Sequence, residues 1–524
     1  MRLHVMNTDE LQRIHEATLD ILENTGVCFK DCDEATELFL KNGCRVDGGQ
    51  VYIPRGLFAE CVHRLPNRND LKLCVTKLGF SDSLGLRQGE SHVGVIGNPY
   101  YLYEHGKGQR DLTETDADDK FLLMDSLPNL QFDCCVTINA SQRKAGTIFP
   151  DYQKTEVCAN YLRQRLQSKA RKGGKKPAIH ANILHGREDN SRIHSPRMLK
   201  PLEKMELLRH AILYGPGETE AMLAKDTPLI WCNPISPLQY HPDQVREIVG
   251  AIKEYGTNCY FMFSPEVMLG GTGPVSMAGA LAQHNAEVMC GVILTQLLAP
   301  GTRVIYGSVS GVMDLRTADI SLGSLESIVF NSSVVQLADL YGLPCRVQFG
   351  NSSARSAGVR AAVETAWGLQ MGMAAGANLV HTGLLDSTLM LSLEHLVLID
   401  ELVSQIRSAT KAATVDADHL ALDVIRQEGR PGTNYLGHDH TLEHMKEAMY
   451  YSDFTGRTVK SYEDWYDLAH EKVQKILRCG REDAAADKAL PDRCAAVEAR
   501  LREDDRTWRA GQDGWWKFYV QDLV

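Results

Sequence analysis

Two stretches in the middle of the chain decide the fold, Cys259-Tyr260-Phe261-Met262-Phe263 and Arg303-Val304-Ile305-Tyr306. Each is a short apolar run that is followed by small and polar residues and then by a long helical segment, at residues 279–298 and 324–341 respectively. Short apolar runs bounded by turn residues are typical of buried strands. A strand that leads through a helix to the next strand predicts parallel pairing with right-handed crossovers.

The same strand-and-helix unit recurs on both sides of these stretches, with further helices predicted at residues 359–375 and 393–410. Seven or eight such units predict a (β/α)₈ TIM barrel, although the first run also fits a hairpin outside it. A doubly wound open sheet is the alternative, but no Gly-x-Gly-x-x-Gly turn follows a strand as that fold's nucleotide site requires. The candidate strands are residues 93–96, 132–138, 178–184, 228–232, 259–263, 303–306, 345–349 and 378–381.

The two ends of the chain differ from this central region. A helix with Thr8 as its N-cap, a second helix at residues 33–42 and a short strand at 51–54 predict an N-terminal cap over residues 1–90. The barrel is then predicted over residues 91–478, with further helix at 416–428. Residues 479–524 are predicted to form a C-terminal extension with a charged helix at 484–502 and an aromatic tail, Trp508, Trp515, Trp516, Phe518 and Tyr519.

Composition restricts the partners and the compartment. With 67 acidic and 56 basic side chains the net charge is −11, which disfavours nucleic acid, and the basic run at 169–176 is interpreted as a solvated loop. The 14 cysteines form no Cys-x-x-Cys pair and often lie in apolar stretches, which indicates a reducing compartment. Without a signal-like start or a stretch of about 18 apolar residues, no membrane association is expected and a cytoplasmic protein is predicted.

One long stretch, Gly270-Gly271-Thr272-Gly273-Pro274-Val275-Ser276-Met277-Ala278-Gly279-Ala280-Leu281-Ala282-Gln283-His284-Asn285-Ala286-Glu287, resembles the corrinoid-dependent trimethylamine methyltransferase superfamily. The resemblance continues through Asp314-Leu315-Arg316-Thr317, Tyr341-Gly342-Leu343-Pro344 and Leu384-Leu385-Asp386-Ser387, and it covers roughly residues 8–478. It implies a TIM barrel that passes a methyl group from an amine to Co(I) of a separate corrinoid protein. No tightly bound cofactor is then expected, and Gly270, Gly271, Thr272 and Gly273 would leave space for the corrinoid at the barrel mouth.

Founding members of that superfamily carry pyrrolysine, which this chain lacks. The corresponding segment is Gly350-Asn351-Ser352-Ser353-Ala354-Arg355-Ser356, with Arg355 at or near the pyrrolysine position. This departure points to the branch without pyrrolysine, whose members use quaternary amines such as betaines and carnitine. The resemblance therefore implies a small quaternary amine as the methyl donor, with the choice among glycine betaine, proline betaine, carnitine and γ-butyrobetaine left open.

A quaternary ammonium loses a methyl group to leave a neutral tertiary amine, so the site needs orientation and exclusion of water and no general acid. Aromatic faces would stabilise the cation, and polar groups would hold a carboxylate. Because barrel sites form at the carboxyl ends of strands, the candidates lie there. Asn351, Arg355 and His381 are predicted as catalytic. Predicted to bind the substrate are Tyr100, Tyr101, Tyr103, Phe261, Phe263, Tyr306, Gln348 and Phe349.

The histidines of His438-x-His440-x-x-x-His444 have spacings that a metal could use. Because an activated methyl donor needs no Lewis acid, capping and hydrogen bonding are the preferred interpretation, and no metal site is predicted. Two other functions stay open, a zinc-dependent barrel lyase or hydrolase and a barrel that binds a betaine without turnover. The aromatic tail and the habit of the resembled family favour a homo-oligomer.

Overall fold

The computed structural model describes residues 2–74, 83–97, 99–124, 126–135, 183–184, 229–452, 454 and 465–486. The basic run at 169–176 and the aromatic tail lie outside these residues, as does nearly all of the charged helix predicted at 484–502.

One sheet of eight parallel strands organises the described part of the chain. Its order is β3-β4-β5-β6-β7-β8-β1-β2, so neighbours in the sheet are neighbours in sequence and the eighth strand pairs with the first. The strands are β1 (His92–Gly97), β2 (Leu130–Cys135), β3 (Ile183–Leu184), β4 (Leu229–Cys232), β5 (Tyr260–Phe263), β6 (Arg303–Ser308), β7 (Cys345–Gln348) and β8 (Leu379–Thr382).

This order confirms an α/β fold and decides two questions about it. Leu379 to Thr382 of β8 pair in register with His92 to Val95 of β1, so the first apolar run belongs to the sheet and the hairpin interpretation is wrong. A doubly wound sheet does not pair its last strand with its first, and that alternative is also wrong. Among the described residues, β2 and β3 pair with one neighbour each.

Helices follow most of the strands and cover one face of the sheet. They are α1 (Thr8–Asp20), α2 (Asp33–Lys41), α3 (Arg55–His63), α4 (Glu114–Met124), α5 (Pro242–Tyr255), α6 (Met277–Leu298), α7 (Leu325–Leu340), α8 (Val359–Ala375), α9 (Leu393–Thr410), α10 (Ala417–Leu420), α11 (Leu422–Glu428), α12 (Asp439–Ala448) and α13 (Trp465–Ala486).

Helix ends differ from the prediction where local hydrogen bonds decide them. Helix α1 is capped by Asn7 and not by Thr8, because the Asn7 side chain accepts from the Glu10 amide at 3.0 Å while the Glu10 carboxylate accepts from the Asn7 amide at 2.8 Å. The helix predicted at 416–428 is broken at Ala421, whose φ of 47° is left-handed, and so forms α10 and α11. Helix α13 runs through position 478, where the sequence predicted a domain boundary.

Short strands cover the two ends of the sheet. The hairpin of Lys72–Cys74 and Ser83–Gly85 packs leucines against Leu229, Tyr260 and Leu379, which begin β4, β5 and β8 and so mark the amino end. At the other end, Met268–Leu269, Gly311–Met313 and Ile320–Ser321 pair in one small sheet. Tyr101–Glu104, Gly108–Asp111, Leu384–Leu385 and Met390–Leu391 form another.

The N-terminal residues form a smaller layer against the helices. Val27–Cys28, Gln50–Tyr52 and Arg45–Asp47 form an antiparallel sheet, and α1 packs on α6. Among the helices of the described residues, none is long and apolar enough to cross a membrane.

Two buried imidazoles make the folded chain sensitive to acid. Burial lowers the pKa of His284 in α6 and of His395 in α9 to about 3 each. Since an unfolded histidine titrates near 6.5, the unfolded chain takes up these protons first, so stability is fully present above pH 6.5 and is lost as the pH falls towards 3. Each imidazole is expected to remove about 1.4 kcal/mol of unfolding free energy per pH unit in that window.

Urea unfolding at several pH values between 7 and 4 measures this loss. His395 contacts the Tyr466 hydroxyl at 2.8 Å and the Thr365 hydroxyl at 3.0 Å, so His395→Gln keeps hydrogen-bonding capacity without a titrating group. The variant should lose stability more slowly with falling pH than the parent chain. If the unfolding free energy fell equally steeply with pH in both proteins, His395 would not be one of the groups responsible for the acid sensitivity.

Candidate active site

Alternate residues of the central strands face opposite sides of the sheet, as the geometry of a strand requires. Trp231, Tyr260, Met262, Ile305 and Leu379 pack together in one buried cluster. Their strand neighbours, such as Ile230, Phe261, Val304 and Val380, belong instead to the larger core that includes the helices. We call the first side, which the helices do not cover, the inner face.

Four polar side chains meet on the inner face at the carboxyl ends of β7 and β8, and we call them the inner polar cluster: Arg346, Gln348, Asn351 and His381. All four are buried. The Asn351 amide nitrogen lies 3.3 Å from both the Gln348 carbonyl oxygen and His381 Nε2. The sequence prediction named three of these residues, and the structure brings those three together.

Arg346 is the charged member of the cluster. Its Nη2 lies 2.6 Å from His381 Nδ1, its Nη1 donates to the Ser308 carbonyl at 3.3 Å, and its guanidinium carbon lies 4.1 Å from the centre of the Trp231 ring. A guanidinium stays protonated and a stacked aromatic face stabilises it. The inner face therefore holds a fixed positive charge at the carboxyl end of β7.

The contact with Arg346 also fixes the tautomer of His381. A guanidinium has only donors, so His381 Nδ1 accepts and Nε2 carries the proton. Asn351 is oriented by its carbonyl oxygen, which accepts from the Leu384 amide at 3.1 Å, so its NH₂ group is also a donor. The cluster thus presents a cation and two neutral N–H donors, which suits an anion such as a carboxylate.

Two further polar residues end the neighbouring strands. Asn233 follows β4 and Ser264 follows β5, and strand alternation places both on the inner face with Trp231 and Met262. Both are buried, and within the described residues neither the Asn233 amide group nor the Ser264 hydroxyl has a hydrogen-bond partner. Leaving a buried polar group unsatisfied costs about 1–3 kcal/mol, which favours a role in binding for Asn233 and Ser264.

Four of the predicted cage rings point away from this site, which corrects the sequence prediction for Phe261, Phe263, Tyr306 and Phe349. All four are buried in the core that the sheet forms with the helices. Tyr306 donates to the Asn285 side chain in α6 at 2.9 Å. A Cβ atom at Gly372 in α8 would lie 2.4 Å from the Phe349 ring, so that glycine lets ring and helix approach. These rings are packing residues.

The three predicted tyrosines lie nearer the carboxyl ends. Tyr100 and Tyr101 have ring centres 6.5 Å apart, and all three side chains are half-buried. Tyr101 and Tyr103 pack on a cluster that includes Ala354 and Leu385, which follow β7 and β8. Of the predicted rings, these remain placed for a cation site, and that role stays a prediction.

Arg355 lies outside the inner polar cluster, contrary to the prediction that grouped it with Asn351 and His381. Its side chain is 70% exposed and its guanidinium pairs with Asp386 at 3.0 Å and with Asp319 at 3.7 Å. An exposed pair of this kind contributes little to stability or binding. The guanidinium that reaches the inner face belongs to Arg346, nine positions earlier in the sequence.

The glycine-rich segment forms a tight turn after β5. Gly270 donates to the Gly273 carbonyl at 3.1 Å, and the Thr272 hydroxyl donates to the Glu266 carbonyl at 3.2 Å. Gly270 has a left-handed φ of 84°, and a Cβ atom at Gly271 would lie 2.6 Å from the Met313 side chain. The turn itself therefore requires small residues at Gly270 and Gly271, for reasons of backbone conformation and packing. That this segment leaves space for a corrinoid stays a prediction.

Large apolar side chains are exposed on the segments that follow the carboxyl ends of the central strands, and we call them the mouth rim. The most exposed are Val275 at 66% and Leu315 at 67%. They follow β5 and β6, and the others follow β4, β6 and β8. The mouth rim consists of Ile235, Val275, Leu315, Ile320, Leu325 and Leu389. Large apolar side chains exposed at the same end of the sheet as a buried polar site are candidates for contact with a partner.

The chain matches the family described as trimethylamine methyltransferase (MTTB) over residues 1–156 and 203–502. It therefore belongs to the trimethylamine methyltransferase family, and its class is that of a methyltransferase. It is 29% identical to the glycine betaine methyltransferase of Desulfitobacterium hafniense, covering 91% of this chain and 92% of that protein. It is 28% identical to the trimethylamine methyltransferase MttB of Methanosarcina barkeri, covering 91% of each.

Two solved structures align with most of this chain at low similarity. The hydroxylamine complex of MtmB gives a TM-score of 0.46 at 10% sequence identity, covering 90% of this chain and 88% of that one. The monomethylamine methyltransferase (MtmB) of Methanosarcina barkeri gives 0.42 at 11%, covering 89% and 92%. The fold of this chain follows from the order and pairing of its central strands.

Proposed function

We propose that this chain transfers a methyl group from a small quaternary amine with a carboxylate, of the glycine betaine type, to the cobalt of a corrinoid on a separate protein. The observation that carries the proposal is the buried guanidinium of Arg346 beside the donors of His381 and Asn351. A carboxylate is the chemical group that this set of donors recognises. The similarity to a glycine betaine methyltransferase supports the same class of substrate.

The charge of Arg346 also orients such a substrate. The guanidinium attracts the carboxylate and repels the quaternary ammonium, so the methyl groups turn away from β7 and towards the loops at the carboxyl ends. The face of Trp231 lies against Arg346, at 4.1 Å from the guanidinium carbon, and this contact holds the arginine in place. We place the carboxylate at the inner polar cluster and the ammonium nearer Tyr101 and Tyr103.

Methyl transfer from this orientation needs no proton from the protein. The C–N bond breaks with its electron pair left on nitrogen, so the product is a neutral tertiary amine that keeps its carboxylate. When bound, the corrinoid supplies the Co(I) nucleophile that accepts the methyl group. The chain's own residues hold the donor in line and exclude water, which is where the rate enhancement arises.

We further propose that the eight strands close into a TIM barrel, with β2 beside β3. The sequential strand order and the pairing of β8 with β1 support closure. The two edge strands of the sheet are then β2 and β3, which are consecutive in the chain, and their pairing would complete a barrel. In a barrel the site would lie at the carboxyl-terminal face, where the inner polar cluster is found.

The mouth rim is the surface that we assign to the corrinoid protein. Leu315→Asp places a charge on a side chain that is 67% exposed, so the fold should be unaffected. Transfer to the corrinoid protein is expected to fall by at least tenfold through a higher KM for that protein, while the affinity for betaine stays unchanged. Leu40→Asp, on a position of α2 where the side chain is 53% exposed, is the matched control. Equal effects of the two substitutions would contradict the assignment.

A homo-oligomer in the cytoplasm is proposed as the working state. Val359, Val363 and Trp367 are exposed at successive turns of α8, which gives that helix an apolar stripe. The nine cysteines whose side chains the structure describes are free thiols, which supports a reducing compartment.

The test is a methyl-transfer assay with purified chain, a reduced corrinoid protein or free cob(I)alamin, and a panel of amines. Methylcobalamin absorbance and loss of the amine are both followed. Turnover of a carboxylate-bearing quaternary amine, dependent on the corrinoid, is expected. Tight binding of a betaine without turnover would instead favour a binding protein, and turnover of trimethylamine in preference to every betaine would contradict the proposal.

A further inference from the structure

A segment after α9 has no apolar core of its own, and we call residues 411–451 the helical arm. It contains α10, α11 and α12, and none of its residues is buried. Its largest apolar side chains are exposed, with Leu436 the extreme at 82%. Helices of 4, 7 and 10 residues are too short to be stable by propensity alone. Other interactions must hold them together.

Histidine and carboxylate side chains converge between α10 and α12. His419 and His444 have ring centres 4.7 Å apart, and a ligand atom of each lies within 4.8 Å of a carboxylate oxygen of Glu447. The Nε2 atoms of both histidines are shielded from solvent, and within the described residues neither makes a hydrogen bond of good geometry. The carboxylate oxygens nearest to them are Glu447 Oε2, 3.8 Å from His419, and Asp418 Oδ2, 3.2 Å from His444.

We propose that this cluster is a structural Zn²⁺ site, with His419 Nε2, His444 Nε2 and the Glu447 carboxylate as ligands and water in the fourth position. Zn–N bonds of about 2.0–2.1 Å put tetrahedral ligands roughly 3.4 Å apart, so the three atoms need only a small inward movement. The ring nitrogen of His419 that would not bind the metal already has a carboxylate partner, since Asp416 Oδ1 lies 2.8 Å from His419 Nδ1. A carboxylate in that position orients a metal-binding imidazole and fixes its tautomer.

The other two histidines of the sequence motif are engaged elsewhere. His438 caps α12, where its Nδ1 accepts from the His440 amide at 3.1 Å. His440 Nε2 lies 3.2 Å from the Asp418 carbonyl oxygen and donates to it. The motif therefore contributes only His444 as a ligand, and its partner His419 lies in a different helix.

Such a site would join α10 to α12 across α11 and the loop that follows it. Metal binding contributes folding free energy directly where a small unit lacks a core. The ligands lie in α10 and α12, after the last strand of the sheet, whereas the inner polar cluster lies at the carboxyl ends of β7 and β8. We therefore assign this zinc a role in holding the arm and none in methyl transfer.

The test uses the full chain, stripped with a chelator, equilibrated with Zn²⁺ and freed of excess metal by gel filtration. One zinc per chain is expected, falling below 0.2 in His419→Ala and in His444→Ala. His440→Ala is the matched control and should keep the metal. Co²⁺ in place of Zn²⁺ should give the visible absorption of a tetrahedral site, and metal removal should make residues 411–451 sensitive to protease.

Glu447→Gln gives a second variant that keeps the size of the ligand and should weaken zinc binding at least tenfold without unfolding the arm. Circular dichroism of each variant shows whether the rest of the chain stays folded. A parent chain that retains no zinc after equilibration, or equal zinc in the parent chain and His444→Ala, would overturn the proposal.

Discussion

Arg346→Met is expected to abolish most methyl transfer from a carboxylate-bearing quaternary amine. The substitution removes the buried positive charge of the inner polar cluster and keeps an apolar stem of similar length against Trp231. In the proposed complex the Arg346 guanidinium pairs with the carboxylate of the substrate. Removing one partner of such a buried, hydrogen-bonded charge pair costs about 2–5 kcal/mol, so kcat/KM should fall by roughly 30-fold to 5,000-fold. Steady-state kinetics with a fixed concentration of corrinoid protein measure the change.

Arg355→Met is the matched control for this experiment. It removes an exposed guanidinium nine positions away whose partners are Asp386 and Asp319. Its kcat/KM should stay within about threefold of the parent value, as expected for a surface pair worth at most about 1 kcal/mol. A larger loss in Arg355→Met than in Arg346→Met would contradict the structural assignment and restore the sequence prediction.

Gly291→Ala is expected to cause a large loss of stability for the addition of a single methyl group. A Cβ atom at Gly291 in α6 would lie 2.3 Å from the Tyr240 hydroxyl and 2.4 Å from the Phe263 ring, both within a closely packed core. Overpacking of this kind costs about 1–3 kcal/mol and sometimes more. The midpoint of urea unfolding should fall accordingly.

Gly56→Ala in α3 is the control, since it has no atom within 4 Å of its Cβ position. It should be neutral or stabilising by up to ~1 kcal/mol, the helix propensity difference. Phe263→Leu added to Gly291→Ala should recover part of the lost stability by making room for the methyl group. Without any recovery, the packing role that we assign to the Phe263 ring would be wrong.

The strands could be predicted because buried parallel strands are continuous apolar runs between turn residues. All eight predicted runs overlap strands of the sheet, and α8 and α9 have the predicted bounds. The direction in which each side chain points could not be predicted. In Tyr260-Phe261-Met262-Phe263 every residue is apolar, so the sequence does not show that Met262 faces the inner side and Phe261 the helices.

A signal for Arg346 was present in the sequence and was missed. An arginine between Cys345 and Val347, inside a strand that is otherwise buried, needs a partner or a ligand, because isolated buried charges are costly. Strand-end position favoured Arg355 instead. The zinc ligands illustrate a second limit, since His419 and His444 are brought together by the turn at Ala421 and the loop that follows it, which spacing alone does not reveal.

The most direct test of the central claim is the binding affinity of glycine betaine compared with that of choline, measured by titration calorimetry. Both ligands carry the same trimethylammonium group, and only betaine has a carboxylate. The parent chain should bind betaine at least 30-fold more tightly, and Arg346→Met should bind the two ligands about equally. Equal affinities in the parent chain, or an undiminished preference for betaine in Arg346→Met, would contradict the account.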